Sequence, residues 1–255
     1  MNCSYLISNQ PPEGFLTRYR NTTVIFVAPL THLGQKIPRF MTKVLVMRQD
    51  GNVDISPEHG SQTPPAGTVA VLLAAGAGSR FLGSGHKLLA TLPYGGGTSI
   101  FELSLQQVLA AGFTTIVVVT GAADIPPSML AYPHVTVVHN NRWADGQSGS
   151  VLMGIREAQR LKASAVVIGL ADQPFVTAEA WRRIANAATP IAVATYFGRN
   201  GNPVRLHESI WPLLPKSGDS GARDLIRLRP ELVSQVDCPG SAADIDTQED
   251  LAQWT

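Results

Sequence analysis

Cysteine is nearly absent from this 255-residue chain. Cys3 and Cys238 lie far apart and neither has a CxxC neighbour, so no disulfide framework or cysteine zinc site is indicated. The six histidines show no HExxH spacing. No apolar run approaches the ~18 residues that a membrane helix requires. Charge of one sign is also missing: 20 basic against 19 acidic side chains leave a formal +1, which gives no support for a nucleic-acid or polyanion-binding surface. The opening Met1-Asn2-Cys3-Ser4-Tyr5 has no cationic start followed by an apolar core, so it does not read as a signal peptide. The expectation is a soluble cytoplasmic protein with neither a nucleic-acid nor a membrane partner.

The length allows a substantial core within one domain. Residues 1–66 stand apart as an N-terminal extension and linker of unknown role. Segments 24–27 and 43–47 have short-strand character, but Pro11, Pro12, Pro29 and Pro38 break the stretch, and 58–67 with Pro64-Pro65 reads as a linker. Met41-Thr42-Lys43 offers an alternative translation start, which would leave residues 1–40 untranslated.

From Thr68 to the end, buried strands alternate with amphipathic helices. Apolar runs at 69–73, 115–119, 135–138, 165–170 and 191–196 read as strands. Ser99 and Glu102 form a capping box for a helix whose Ile100, Phe101, Leu105, Val108 and Leu109 share a face, with Gly112 at its end. Another helix begins near Thr177. The alternation predicts an α/β fold over residues 67–255, a doubly wound and mostly parallel sheet with helices on both faces. Chemistry is then expected beyond the carboxyl ends of the strands.

One stretch carries the most chemical information. The strand at 69–73 runs into Ala74-Ala75-Gly76-Ala77-Gly78-Ser79-Arg80, with His86-Lys87-Leu88-Leu89 close behind. Small residues let backbone N–H groups approach a ligand, and Arg80 and Lys87 add full charges, so the pattern points to a polyphosphate. It is not a dinucleotide fingerprint, because Phe81 takes the place of the last small residue and Gly95-Gly96-Gly97 lies where an acidic residue is needed. Nor is it a P-loop, since Leu88 follows Lys87.

Five further segments are candidates. The strand at 165–170 ends in Ala171-Asp172-Gln173-Pro174, placing a carboxylate where a Mg²⁺–triphosphate would lie; Mg²⁺ takes one or two carboxylates plus phosphate oxygens. Thr177 is better placed than Asp172 to cap the next helix. Near the C-terminus, Thr247 and Asp250 read as a cap and its partner, so Asp244 and Asp246 remain as further metal ligands, with the choice between them open. Segment 140–152, with Gly146 and Ser150, suits base recognition. Segments 198–204 and 216–223 are glycine-bearing polar loops suited to an acceptor wall. Gly218-Asp219-Ser220-Gly221 echoes a chymotrypsin-like nucleophile segment, but the alternating strand–helix pattern contradicts that fold. The segment around Ser148 misses the G-x-S-x-G elbow, because its fifth residue is Ser150.

Together these motifs resemble the molybdenum-cofactor cytidylyltransferase family of Rossmann-like nucleotidyltransferases. The resemblance rests on Leu73-Ala74-Ala75-Gly76-x-Gly78-x-Arg80 with Lys87, the Asn-x-x-Trp-x-x-Gly stretch ending in Ser150, Asp172-Gln173-Pro174, Gly201-x-Pro203-Val204, Gly218-Asp219-x-Gly221-Ala222-Arg223 and Asp244-Ile245-Asp246-Thr247. It implies Mg²⁺-dependent transfer of CMP from CTP to molybdopterin, with Ala75 favouring CTP, and a molybdoenzyme maturation partner. It implies catalytic roles for Arg80, Lys87 and Asp172. Leu73, Ala74, Ala75, Gly76, Gly78, Ser79, Arg80, Lys87, Gly146 and Ser150 would bind the nucleotide. Gly201, Pro203, Asp219 and Arg223 would bind the acceptor, and Asp172 with either Asp244 or Asp246 would supply the metal ligands. Departures are the loose Gly95-Gly96-Gly97, Arg205 after Pro203-Val204, and Gln248 in place of a proline. The first two leave the acceptor open, with a sugar phosphate or other cofactor precursor as the rival; a non-catalytic nucleotide-binding module is the rival from another class.

Overall fold

The computed structural model describes residues 63–81, 85–92, 97–215 and 222–253, together with the backbone of three strands before them. The chain divides into two units, Met1–Gly60 and Ser61–Thr255. In the first, β1 (Leu16–Tyr19), β2 (Thr22–Phe26) and β3 (Val44–Arg48) form an antiparallel sheet in that order. The proposed start at 41–43 and most of residues 1–40 lie outside the described residues.

The second unit is built on a seven-stranded sheet. Its strands are β4 (Thr68–Ala74), β5 (Ile116–Thr120), β6 (Val135–His139), β7 (Ala165–Leu170), β8 (Ile191–Tyr196), β9 (Arg199–His207) and β10 (Val233–Asp237), in the order β10-β8-β9-β7-β4-β5-β6. All pairings are parallel except those of β9, which runs antiparallel between β7 and β8. The doubly wound, mostly parallel expectation holds, as do the strands at 165–170 and 191–196; the other three differ by one residue at one or both ends.

Helices cover both faces. On one lie α1 (Ile100–Ala111) and α4 (Ala178–Ala185), on the other α3 (Gln147–Arg160), while α2 (Pro127–Leu130), α5 (Arg223–Leu228) and α6 (Gln248–Ala252) are short. Ser99 caps α1 with the capping box to Glu102, and Gly112 ends it at φ +85°, a left-handed turn that glycine adopts without strain. Thr177 caps α4, and Thr247 with Asp250 forms the box that starts α6. Close packing uses missing side chains: a Cβ at Gly169 would come within 2.5 Å of Trp181, which is fully buried and meets Phe113 edge-to-face at 6.0 Å.

Two strands differ from expectation. Segment 198–204 is not a loop: it opens β9, joined to β8 by the two-residue turn Phe197-Gly198, with φ +51° and +76°. Such turns are ordinarily announced by Asn-Gly, so a bulky first residue hides the hairpin from sequence. Strand β10 at the sheet edge is equally unannounced. Arg205 also falls elsewhere than expected. It lies toward the amino edge of β8, donating to the Thr189 carbonyl at 2.7 Å, and is therefore no part of an acceptor wall at the carboxyl edge.

Candidate active site

Strand order reverses about β4: the chain goes from β4 to β5 on one side and reaches β7 on the other. The carboxyl ends of β4 and β7 therefore border the crevice where ligands bind in open α/β sheets. The glycine loop leaves β4 there and Ala171-Asp172 leaves β7. Asp172 is held from below, because the buried Ser104 hydroxyl on α1 donates to the Ala171 carbonyl at 2.8 Å.

Into this crevice the 3₁₀ turn Lys87–Leu89 projects Lys87. Its ammonium donates to Asp172 Oδ2 at 2.5 Å and to Asp246 Oδ1 at 2.7 Å, while Arg80 pairs with Asp246 Oδ2 at 2.8 Å. Burial pulls the Lys87 pKa down, but the Asp172 and Asp246 carboxylates outweigh it and leave the pKa above its ordinary value. The structure thus brings together Arg80, Lys87, Asp172 and Asp246 from four separate segments.

Asp244 and Asp246 part company here. Asp246 faces the cations, whereas Asp244 accepts from Gln173 Nε2 at 2.8 Å. Gln173 also donates to Ala242 O and accepts from Asn202 Nδ2 at 3.1 Å. Asn202 reaches Gln173 because β9 carries two extra residues opposite the Val193–Ala194 step, a bulge that turns its side chain inward. Gly201 and Pro203 flank Asn202, and a cis peptide joins Asn202 to Pro203. Burial, then the neighbouring Asp172, raises the Asp244 pKa.

Across the crevice, Gly146 adopts φ +106° at the start of α3, a backbone that favours glycine. Ser150 is buried and accepts from Asn140 Nδ2 at 2.9 Å, fastening α3 to the end of β6. Sequence reasoning missed Gly121. A Cβ there would lie 2.7 Å from the Ala75 carbonyl and 2.8 Å from Trp143 Cβ, so its bare Cα lets the glycine loop and the 143–150 segment meet. Only a glycine directly after a buried strand hinted at it. Arg223 opens α5 rather than ending a loop, while Asp219, Gly95 and Gly96 lie outside the described residues. Cys238 is buried and its thiol is pushed up to about 11 by burial, which makes it a poor nucleophile.

The MobA-like NTP transferase domain matches residues 70–236 of this chain. The chain belongs to that family. It is 33% identical over 195 residues to a protein named nicotine blue oxidoreductase from Paenarthrobacter nicotinovorans, covering 71% of this chain and 93% of the relative. Among solved structures, a nucleotidyl transferase from Methanothermobacter thermautotroptrophicus is 26% identical with a TM-score of 0.63, covering 73% of this chain and 94% of that one. Rv0371C from Mycobacterium tuberculosis H37Rv, in complex with manganese, is 25% identical with a TM-score of 0.58, covering 73% and 96%.

For a MobA-like NTP transferase, the carboxylates of this crevice fit a hard divalent cation. Asp172 Oδ1 is buried and has no hydrogen-bond partner, an oxygen suited to a metal. Among the described residues no three His, Cys, Asp or Glu side chains converge as a metal cage. Of the two carboxylates left open beside Asp172, Asp246 shares the Lys87 ammonium with it, whereas Asp244 accepts from Gln173. Two carboxylates suit an ion that completes its shell with phosphate oxygens. Among the described residues no helix is long and apolar enough to cross a membrane.

Proposed function

We propose that the protein is a Mg²⁺-dependent cytidylyltransferase that transfers CMP from CTP to molybdopterin and releases pyrophosphate. The observation that carries this reading is the Lys87 ammonium held between Asp172 and Asp246, directly beyond the glycine loop at the β4–β7 crevice. A phosphate oxygen of the acceptor attacks the α-phosphorus of the nucleotide. A new P–O bond forms, the bond from the α-phosphorus to the bridging oxygen breaks, and its electron pair leaves on pyrophosphate. The acceptor oxygen is already anionic near neutral pH, so no protein base is needed, and positioning and charge stabilisation supply the catalysis.

Backbone N–H groups of 75–79 and the Arg80 guanidinium would hold the β- and γ-phosphates. Lys87 would turn from the carboxylates toward the charge building at the α-phosphate. Asp172 and Asp246 would hold the Mg²⁺, which when bound offsets phosphate charge and orients donor against acceptor. Ala75, Gly146 and Ser150 would border the base, and Gly201, Pro203, Asp219 and Arg223 the acceptor. The nucleotidyl acceptor product would pass to a molybdoenzyme maturation partner. The oxidoreductase name belongs to the relative; this chain lacks the nicotinamide-type glycine fingerprint.

Pyrophosphate release with Mg²⁺ and molybdopterin, measured in parallel with CTP, GTP, ATP and UTP, tests the reading. Release with CTP alone, abolished by Asp172→Ala, is expected. Release with GTP would assign a different base. Silence with all four despite CTP binding would point to another phosphate acceptor, such as a sugar phosphate. Silence without binding would leave a non-catalytic module.

A further inference from the structure

His86 has no role in the readings above, yet it touches two of the elements that would hold the phosphates. Its Nδ1 accepts from the Leu88 N–H at 3.2 Å, capping the turn that carries Lys87. A nitrogen that accepts an N–H bears no hydrogen, so in the neutral ring the hydrogen sits on Nε2. Nε2 is 2.9 Å from the Gly76 carbonyl and therefore donates to it. The ring also fills the space beside Gly78, which has φ +61°; a Cβ there would lie 3.2 Å from His86 Nε2 and 3.1 Å from Lys87 Cγ.

These contacts have a directional consequence. A trans peptide is planar, with its C=O and the following N–H pointing opposite ways. Drawing the Gly76 carbonyl toward the ring therefore turns the Ala77 N–H away from it. The Gly78 carbonyl is likewise held, by the Phe81 N–H at 2.9 Å, which turns the Ser79 N–H away from Phe81.

We infer that His86 is a positioning residue that locks the glycine loop and the Lys87 turn into one anion-binding unit, so that loop N–H donors and the Lys87 ammonium meet a polyphosphate in fixed register. The inference rests on the nucleotide reading above and adds to it a residue and its tautomer.

Calorimetry with CTP and with inorganic tripolyphosphate, each with excess Mg²⁺, tests it on the full chain. His86→Asn keeps a short oxygen that can cap Leu88 but cannot reach Gly76; His86→Ala loses both contacts. His86→Asn is expected to weaken tripolyphosphate and CTP by the same factor, about 5–10-fold for one lost hydrogen bond, with the melting temperature unchanged. His86→Ala is expected to weaken both further. Wild-type tripolyphosphate affinity in a folded His86→Asn overturns the inference, as does a loss confined to CTP. If His86→Ala does not fold, His86→Asn still decides. Failure of the wild-type protein to bind either ligand overturns the nucleotide reading and this inference together.

Discussion

Lys87 and Asp172 stand 85 residues apart in sequence and meet at 2.5 Å, the ammonium reaching Asp246 as well. All three side chains are largely buried, at 10%, 18% and 17% exposure. Removing the cation leaves two carboxylates facing each other in a half-dry crevice. Lys87→Ala is therefore expected to lower stability by about 3 kcal/mol and turnover by about 10²–10³-fold. The folded pKa of Lys87 is raised, so its contribution is complete below the ordinary lysine value and is lost only as pH rises through the higher folded one. The gap between wild type and Lys87→Ala in denaturant titrations should thus stay constant from pH 7 to about pH 9.

The same ammonium sits on both carboxylates that would bind metal, at Asp172 Oδ2 and Asp246 Oδ1, and so opposes a cation at the free Asp172 Oδ1. Titrating Mn²⁺ into the nucleotide-free protein and following the free-ion signal by electron paramagnetic resonance should show weak binding. Lys87→Ala should strengthen it by about tenfold or more, given the charge removed at close range. Tight, stoichiometric uptake by the wild type without nucleotide would mean that Lys87 does not compete for this site.

Asp244 has its pKa raised by burial and then by Asp172. A raised folded value means that the ionised group opposes folding above it, and that this opposition fades as pH falls toward the unfolded value. Asp244→Asn, which can still accept from Gln173, should melt higher than wild type at pH 7, and the advantage should vanish near pH 4. If Asp244 also serves the reaction, turnover falls in the same variant, a stability–activity trade-off. Melting curves at the two pH values decide the first part.

Gly121→Ala inserts a methyl 2.7 Å from the Ala75 carbonyl, a backbone atom that cannot step aside without moving the glycine loop. The expected result is a CTP affinity lowered about tenfold with a stability loss of about 1–3 kcal/mol. Calorimetry and thermal melts on one preparation separate the two effects. An unchanged affinity would show that the loop tolerates the shift.

Sequence alone carried a good deal of the fold. The buried run of β4, the Ser99–Glu102 capping box, the Thr177 cap and the Thr247–Asp250 box are legible because each depends on residues within one or two turns of chain. The glycine loop and Asp172-Gln173-Pro174 were legible as chemistry for the same reason: strand end and polar group are contiguous. Strand β9 was not, because its turn uses Phe197 where Asn or Gly is the usual signal, and its edge carries Asn, Gly and Pro.

The alternation of strand and helix therefore determined the doubly wound sheet, and with it the edge on which the loops must lie. Which loops touch, and through which atoms, was decided by tertiary structure. Asp244 and Asp246 are equivalent by spacing; only the bulge in β9, which brings Asn202 onto Gln173, assigns one to the amide and leaves the other for Lys87 and Arg80. Lys87 reaches Asp246 across 159 residues. Contacts of that separation leave no local pattern, because they are set by strand order and by the packing that closes the crevice.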